Sequence, residues 1–129
     1  MNFVWDSYFF LAKDLLDRAS NTAFEEACYR ACASKAYYAM FNRTLLCLKP
    51  EKSFDGVSSK HQALIFYLIN ECKKQGASKL GQNLLKLKNH REKADYTHAE
   101  IKNPLNFAKV AFSQAERVSG DIQTVFNSQ

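Results

Sequence analysis

The residue types best suited to chemistry lie in the second half of the chain. Leu80, Leu84, Leu87, Arg91, Ala94 and His98 follow one another at spacings of four, three, four, three and four. Those intervals place all six on one stripe of a helix. The stripe begins as leucine and ends with an arginine and a histidine. A guanidinium is a planar fork that binds phosphate oxygens bidentately and stabilises added negative charge. An imidazole titrates near neutrality and can take or give a proton. Two helical turns separate Arg91 from His98, about 10 Å along the axis. A phosphate and its neighbouring ribose can bridge that distance. RNA carries its own nucleophile, the 2′-hydroxyl, so this pair can cleave RNA with no metal ion or other cofactor. The competing structural reading pairs Arg91 with Asp95 or Glu92 and makes His98 a cation at a helix C-terminus.

Around the pair, positive charge is concentrated. Lys73, Lys74, Lys79, Lys86, Lys88, Arg91 and Lys93 fall within one stretch that contains the single acid Glu92. Such a cluster attracts a polyanion, and Lys86, Lys88 and Lys93 are the RNA-binding candidates. His90 adjoins Arg91 on another side of the helix and has a supporting role at most. Tyr37 and Tyr38 can stack on bases or pack in the core with a bonded hydroxyl. His61 opens a helix and is either a further acid or base or a polar surface residue. Cys28, Cys32, Cys47 and Cys72 form no CxxC pair, and they read as small apolar side chains. No zinc-ligand spacing, glycine-rich phosphate loop or Ser-His-Asp arrangement is evident.

The elements that must position these groups are helical. Trp5, Tyr8, Phe9, Ala12, Leu15 and Leu16 form the stripe of a first helix that ends near Ser20-Asn21. Thr22-Ala23-Phe24-Glu25 reads as a capping box that opens a second helix, to about Leu48. Its stripe is Ala31, Ser34, Tyr38, Phe41, Leu45 and Leu48. Lys49 to Val57 is the longest loop. Ser58 or Ser59 can cap a third helix carrying Leu64, Ile65, Leu68, Ile69 and Cys72, with Gly76 as its stop. Ser78 can cap the fourth, which runs to about His98. Asn103-Pro104 opens a fifth, with Ala108, Ala111, Phe112, Ala115, Ile122 and Phe126 as its stripe. No alternating strand pattern is present. The expectation is an all-α, single-domain antiparallel bundle of about five helices over residues 1–129, with Tyr38, Phe41, Leu45, Leu68 and Phe112 in one core.

Composition agrees with that architecture. With 129 residues, 47% hydrophobic and 24% charged, the chain fits one ordinary globular domain with a core of its own. Four glycines and two prolines leave little room for long linkers. The start, Met1-Asn2-Phe3-Val4-Trp5-Asp6, lacks the basic and apolar regions of a signal peptide, and no run approaches the roughly 20 apolar residues of a membrane span. A cytoplasmic protein without membrane association is expected.

Three segments together resemble the HEPN family of helical nucleases and nuclease-derived modules. Ser34-Lys35-Ala36-Tyr37-Tyr38-Ala39-Met40-Phe41 is similar to the family's basic-Ala-Tyr-Tyr-Ala-x-Phe signature. Lys60-His61 opens the third helix. Arg91-Glu92-Lys93-Ala94-Asp95-Tyr96 is similar to Arg-x-x-Ala-Asp-Tyr, which marks Asp95 and Tyr96 as supporting residues. Arg91 and His98, with six residues between them, match the family's arginine-to-histidine nuclease motif. The resemblance implies a homodimer whose subunits form a cleft around that pair, metal-independent RNA cleavage, and a toxin role beside a cognate antitoxin. It implies as an alternative a non-catalytic HEPN module that dimerises and binds a nucleotidyltransferase partner or a nucleotide.

Overall fold

The computed structural model describes residues 4–126. They form α1 (Asp6–Arg18), α2 (Glu25–Leu48), α3 (Lys60–Asn70), α4 (Ala77–Tyr96) and α5 (Pro104–Phe126), with one 3-10 turn, Ala19–Asn21, after α1. Among the described residues there is no strand. The fold is an all-α bundle of five helices. Met1-Asn2-Phe3, on which the reading of the N-terminus rests in part, lie outside the described residues. No helix among those described is long and apolar enough to cross a membrane.

The centre of the bundle is α2, which packs against α1, α4 and α5. Its buried residues fall on most of its circumference: Cys28, Tyr29, Cys32, Ala33, Ser34, Ala36, Tyr37, Ala39, Met40, Phe41, Thr44 and Leu48. A helix with buried positions on most of its sides belongs at the centre, with its charged residues left to the edges. The alanines let neighbouring helices approach closely, and the larger side chains fill the space between them. The single stripe read from the sequence is therefore too narrow. Phe41, Leu68 and Phe112 are buried as expected, whereas Tyr38 and Leu45 are half-buried at the edge of the core. Tyr29 and Tyr37 take the deeper places.

Cross-links between distant residues give the helix directions. Arg30, near the start of α2, bonds carbonyls at the end of α4. Arg43, near the end of α2, pairs with Asp6 at the start of α1 and donates to Ser119 late in α5. Asn83, early in α4, donates to Asp121 late in α5. So α2 and α5 run parallel, while α1 is antiparallel to α2, and α4 is antiparallel to both α2 and α5. The third helix packs on α4. A Cβ added at Gly81 of α4 would lie 2.7 Å from Ile69 Cγ1 and 3.0 Å from Leu68 Cβ. The glycine is what lets α3 sit that close.

Several expected caps differ. Thr22 Oγ1 donates to the Ala19 carbonyl at 2.8 Å, which closes the turn, and the residue before α2 is Phe24, with no side-chain cap. The capping box does not form. Ser59 precedes α3 without a side-chain cap bond. Gly76 does not end α3. It opens α4 in the left-handed region at φ 87°, and Ser78 lies inside that helix. The Asn103-Pro104 reading holds: Asn103 Oδ1 accepts the Asn106 amide at 3.2 Å, with Pro104 as the first residue of α5. Cys72 lies beyond the end of α3. All four cysteines are free thiols; Cys28 and Cys32 are buried, and burial pushes the Cys32 thiol up to about 12.

Candidate anion site beside helix α4

The leucine half of the α4 stripe, Leu80, Leu84 and Leu87, is fully buried. Burying each such side chain stabilises the fold by roughly 1.5–3 kcal/mol. Arg91 continues that stripe inward and retains only 8% of its side-chain exposure. Its guanidinium carbon lies 5.2 Å from the Tyr37 ring centroid, 5.5 Å from Tyr38 and 5.8 Å from Tyr96. Three electron-rich faces thus surround one buried cation.

The polar partners of Arg91 are few. Nη1 donates to Tyr96 Oη at a long 3.4 Å and stands 3.9 Å from Asp95 Oδ2. Nε is buried with no hydrogen-bond partner. A guanidinium has five N–H donors, and buried donors are ordinarily satisfied. Asp95 also accepts from Ser34 Oγ at 3.3 Å, which ties the end of α4 to α2. Glu92 is engaged elsewhere: it pairs with Lys88 at 3.3 Å. Of the two acids the sequence offered to Arg91, only Asp95 approaches it.

His98 does not continue the stripe. The helix ends at Tyr96, Thr97 is extended at φ −77°, ψ 121°, and His98 is exposed in the connection to α5. The shared helical face of Arg91 and His98 is therefore absent. The cause is Arg30, 61 residues before Arg91 in sequence. Its guanidinium donates to the carbonyls of Ala94 at 3.1 Å, Thr97 at 2.6 Å and Ala99 at 2.7 Å. Glu26 holds Arg30 at 2.9 Å and accepts the Ile101 amide at 3.4 Å. One buttressed cation thus satisfies carbonyls at the helix end and fixes the path of the His98 segment.

His61, read from the sequence as a further acid or base or a polar surface residue, packs with Arg91 around the Tyr37 ring. Its ring stacks on Phe41 at 4.0 Å, and its Nδ1 is 2.6 Å from Tyr37 Oη. Burial lowers its pKa, and the nearby Arg91 and Lys88 cations lower it further. Burial raises that of Tyr37, so the phenol keeps its proton. The sequence signal was the aromatic run Tyr37, Tyr38 and Phe41, which offers a ring at the start of α3 a surface to pack on.

The expected RNA-binding lysines divide between two flanks of α4. Lys88, 12% exposed, faces α3 on the Arg91 side. Lys86, His90 and Lys93 face α5, where they line an open groove with Phe107 and Gln114. His90 lies 5.4 Å from the Phe107 ring and Lys93 5.7 Å from its centroid. Among the described residues, no group of three or more His, Cys, Asp or Glu side chains is placed to hold a metal ion. Compared with models of known protein families and with curated protein sequences, the chain gives no significant match to either.

Proposed function

We propose that this chain is a metal-independent endoribonuclease of the HEPN kind, acting as a cytoplasmic toxin and working as a homodimer. The observation that carries the reading is Arg91: a buried guanidinium, lodged among three tyrosines, with a donor left unpartnered. A fold tolerates such a group at a cost in desolvation, and an incoming phosphate oxygen satisfies it. In the proposed reaction the RNA 2′-hydroxyl loses its proton and attacks phosphorus, the P–O5′ bond breaks, and the 5′-oxygen takes a proton. The products are a 2′,3′-cyclic phosphate and a 5′-hydroxyl. Arg91 holds the phosphodiester and stabilises its growing charge, and His98 exchanges the protons. Because His98 stands off the Arg91 face within one protomer, the pair is completed across a two-fold axis, with a His98 from each subunit.

The exposure of His98 and the proximity of Asp95 to Arg91 also favour a second reading: a dimeric module that binds a nucleotide, or a nucleotidyltransferase or antitoxin partner, without catalysis. The experiment separating the two is cleavage of single-stranded and structured RNA by the purified protein in EDTA, with product ends analysed. Cyclic phosphate ends that are lost in His98→Ala support the nuclease. Undetectable cleavage by the wild type, or full activity in His98→Ala, removes the catalytic assignment. Light scattering checks the dimer, and growth arrest on expression of the chain alone checks the toxin role.

A further inference from the structure

The residue missing from an Arg-to-His description of this site is His61. It comes from a different helix and stands beside Arg91 in the same protomer. Its ring is fixed on two sides: Phe41 stacks against it at 4.0 Å, and Tyr37 bonds its Nδ1 at 2.6 Å. Tyr37 is fully buried and keeps its proton, so its hydroxyl can donate to Nδ1. With Nδ1 accepting, the neutral imidazole carries its hydrogen on Nε2, on the opposite edge of a ring that remains half-exposed. Two cations, Arg91 and Lys88, act on that ring. Arg91 contributes the second independent feature, a buried Nε with no partner.

We propose that Arg91 and His61 form one phosphate-binding site within a single protomer, in which Arg91 supplies the charge and the neutral His61 donates its Nε2–H to a phosphate oxygen. The site would take phosphodiesters and phosphate monoesters as a chemical class. On the nuclease reading, from which the RNA identity of the ligand follows, His61 is a binding residue that orients the scissile phosphate. It does not exchange the protons. Tyr37 is a positioning residue, acting through the tautomer of His61.

The test uses the full chain and a 2′-O-methyl RNA hexanucleotide, which lacks the attacking hydroxyl and reports binding alone. By nitrogen-15 NMR the free protein should show His61 as the Nε2–H tautomer. On titration the Arg91 Nε–H and the His61 Nε2–H resonances should shift together and saturate. His61→Gln keeps a donor near the Nε2 position and should bind within about threefold of wild type, whereas His61→Ala should lose about tenfold, the size of one hydrogen bond to a charged group. Tyr37→Phe should bring in the Nδ1–H tautomer. An Nδ1–H tautomer in the wild type, an Arg91 shift without a His61 shift, or wild-type affinity in His61→Ala would overturn the proposal. So would no saturable shift at either residue. If Ala at this position fails to fold, the wild-type tautomer and the paired titration still decide. Saturable binding in a protein that cleaves no RNA would overturn the nuclease reading and leave this site standing.

Discussion

The two flanks of α4 carry similar charges under opposite conditions. On the α2–α3 side, Arg91 is held under tyrosine rings, Lys88 is bonded to Glu92, and His61 is stacked and hydrogen-bonded. On the α5 side, Lys86 and Lys93 are exposed beside Phe107. The first flank has lost most of its water and its side-chain freedom during folding, so its polar groups are already held in fixed positions. The second keeps its water and can attract a polyanion, but it fixes no geometry. On the proposed function, recognition belongs to the first flank and steering to the second.

The sharpest way to break this comparison is to exchange Arg91 for an apolar residue of similar length. Arg91→Met should lower RNA cleavage by about 100-fold or more, the usual effect of losing a donor that meets developing charge. The same substitution should leave Tm unchanged or raise it, because it removes a buried, incompletely bonded charge. Lys93→Met on the other flank should do neither. A large fall in Tm for Arg91→Met would mean that the guanidinium is principally structural.

A second test probes the connection that carries His98. Arg30→Met removes the donor to three carbonyls and should cost about 2 kcal/mol or more. Amide exchange over residues 97–101 should accelerate, and cleavage should fall with it. The affinity for the uncleavable oligonucleotide should stay near that of wild type, since neither Arg91 nor His61 touches Arg30. Unchanged exchange would show that the segment is held by other contacts.

How far these arrangements could be read beforehand depends on sequence distance. The five helices are legible because their apolar spacing is local, as is the Asn103-Pro104 start of α5. The inward turn of Arg91 is legible because it continues Leu80, Leu84 and Leu87. The end of α4 is not. Its position answers to Arg30, which lies more than 60 residues from each carbonyl it bonds. The role of His61 is hidden in the same way, since Tyr37 and Phe41 reach it only after α3 folds back. The three lysines looked alike because charge was visible in the sequence while the flank each one faces was not.

Gly81 offers a smaller perturbation that reaches the first flank through α3. Gly81→Ala gains up to about 1 kcal/mol of helix propensity but drives a methyl into Ile69 and Leu68. A net loss of about 1–2 kcal/mol is expected, with a displaced His61 resonance and unaltered Lys86 and Lys93 signals. A stabilised variant would show that α3 can move away freely.

The pH response is smaller again. The groups facing His61 are Tyr37 and Tyr38 from α2 and Arg91, Lys88 and Glu92 from α4. Its folded pKa lies below the unfolded value near 6.5. As pH falls below about 6.5 the unfolded chain takes up this proton first, so the His61 contribution is complete above that pH and is lost as pH falls through the folded pKa. Because the ring keeps part of its contact with water, the loss should be small and confined to pH below about 6.5. Comparing Tm against pH for wild type and His61→Gln isolates it: the variant should lack this increment. Parallel curves would remove His61 as its source.

The finest distinction between the flanks lies in salt. An exposed lysine that meets a phosphate releases condensed counterions, so each one adds about 0.7 to the slope of log K against log salt for a single strand. Lys86 and Lys93 are solvated and free of acidic partners in the groove, so Lys86→Ala and Lys93→Ala should each reduce the slope by about that amount. At high salt their affinities should converge on that of wild type. Lys88 is already bonded to Glu92, and its charge is largely spent within the protein. Lys88→Ala should change the slope less, because its ammonium is already paired with Glu92. Binding of the uncleavable oligonucleotide, measured from about 50 to 500 mM salt, gives all three slopes in one experiment. Three equal slopes would mean that the ligand treats α4 as one charged rod, and the division between a steering flank and a recognising flank would fall.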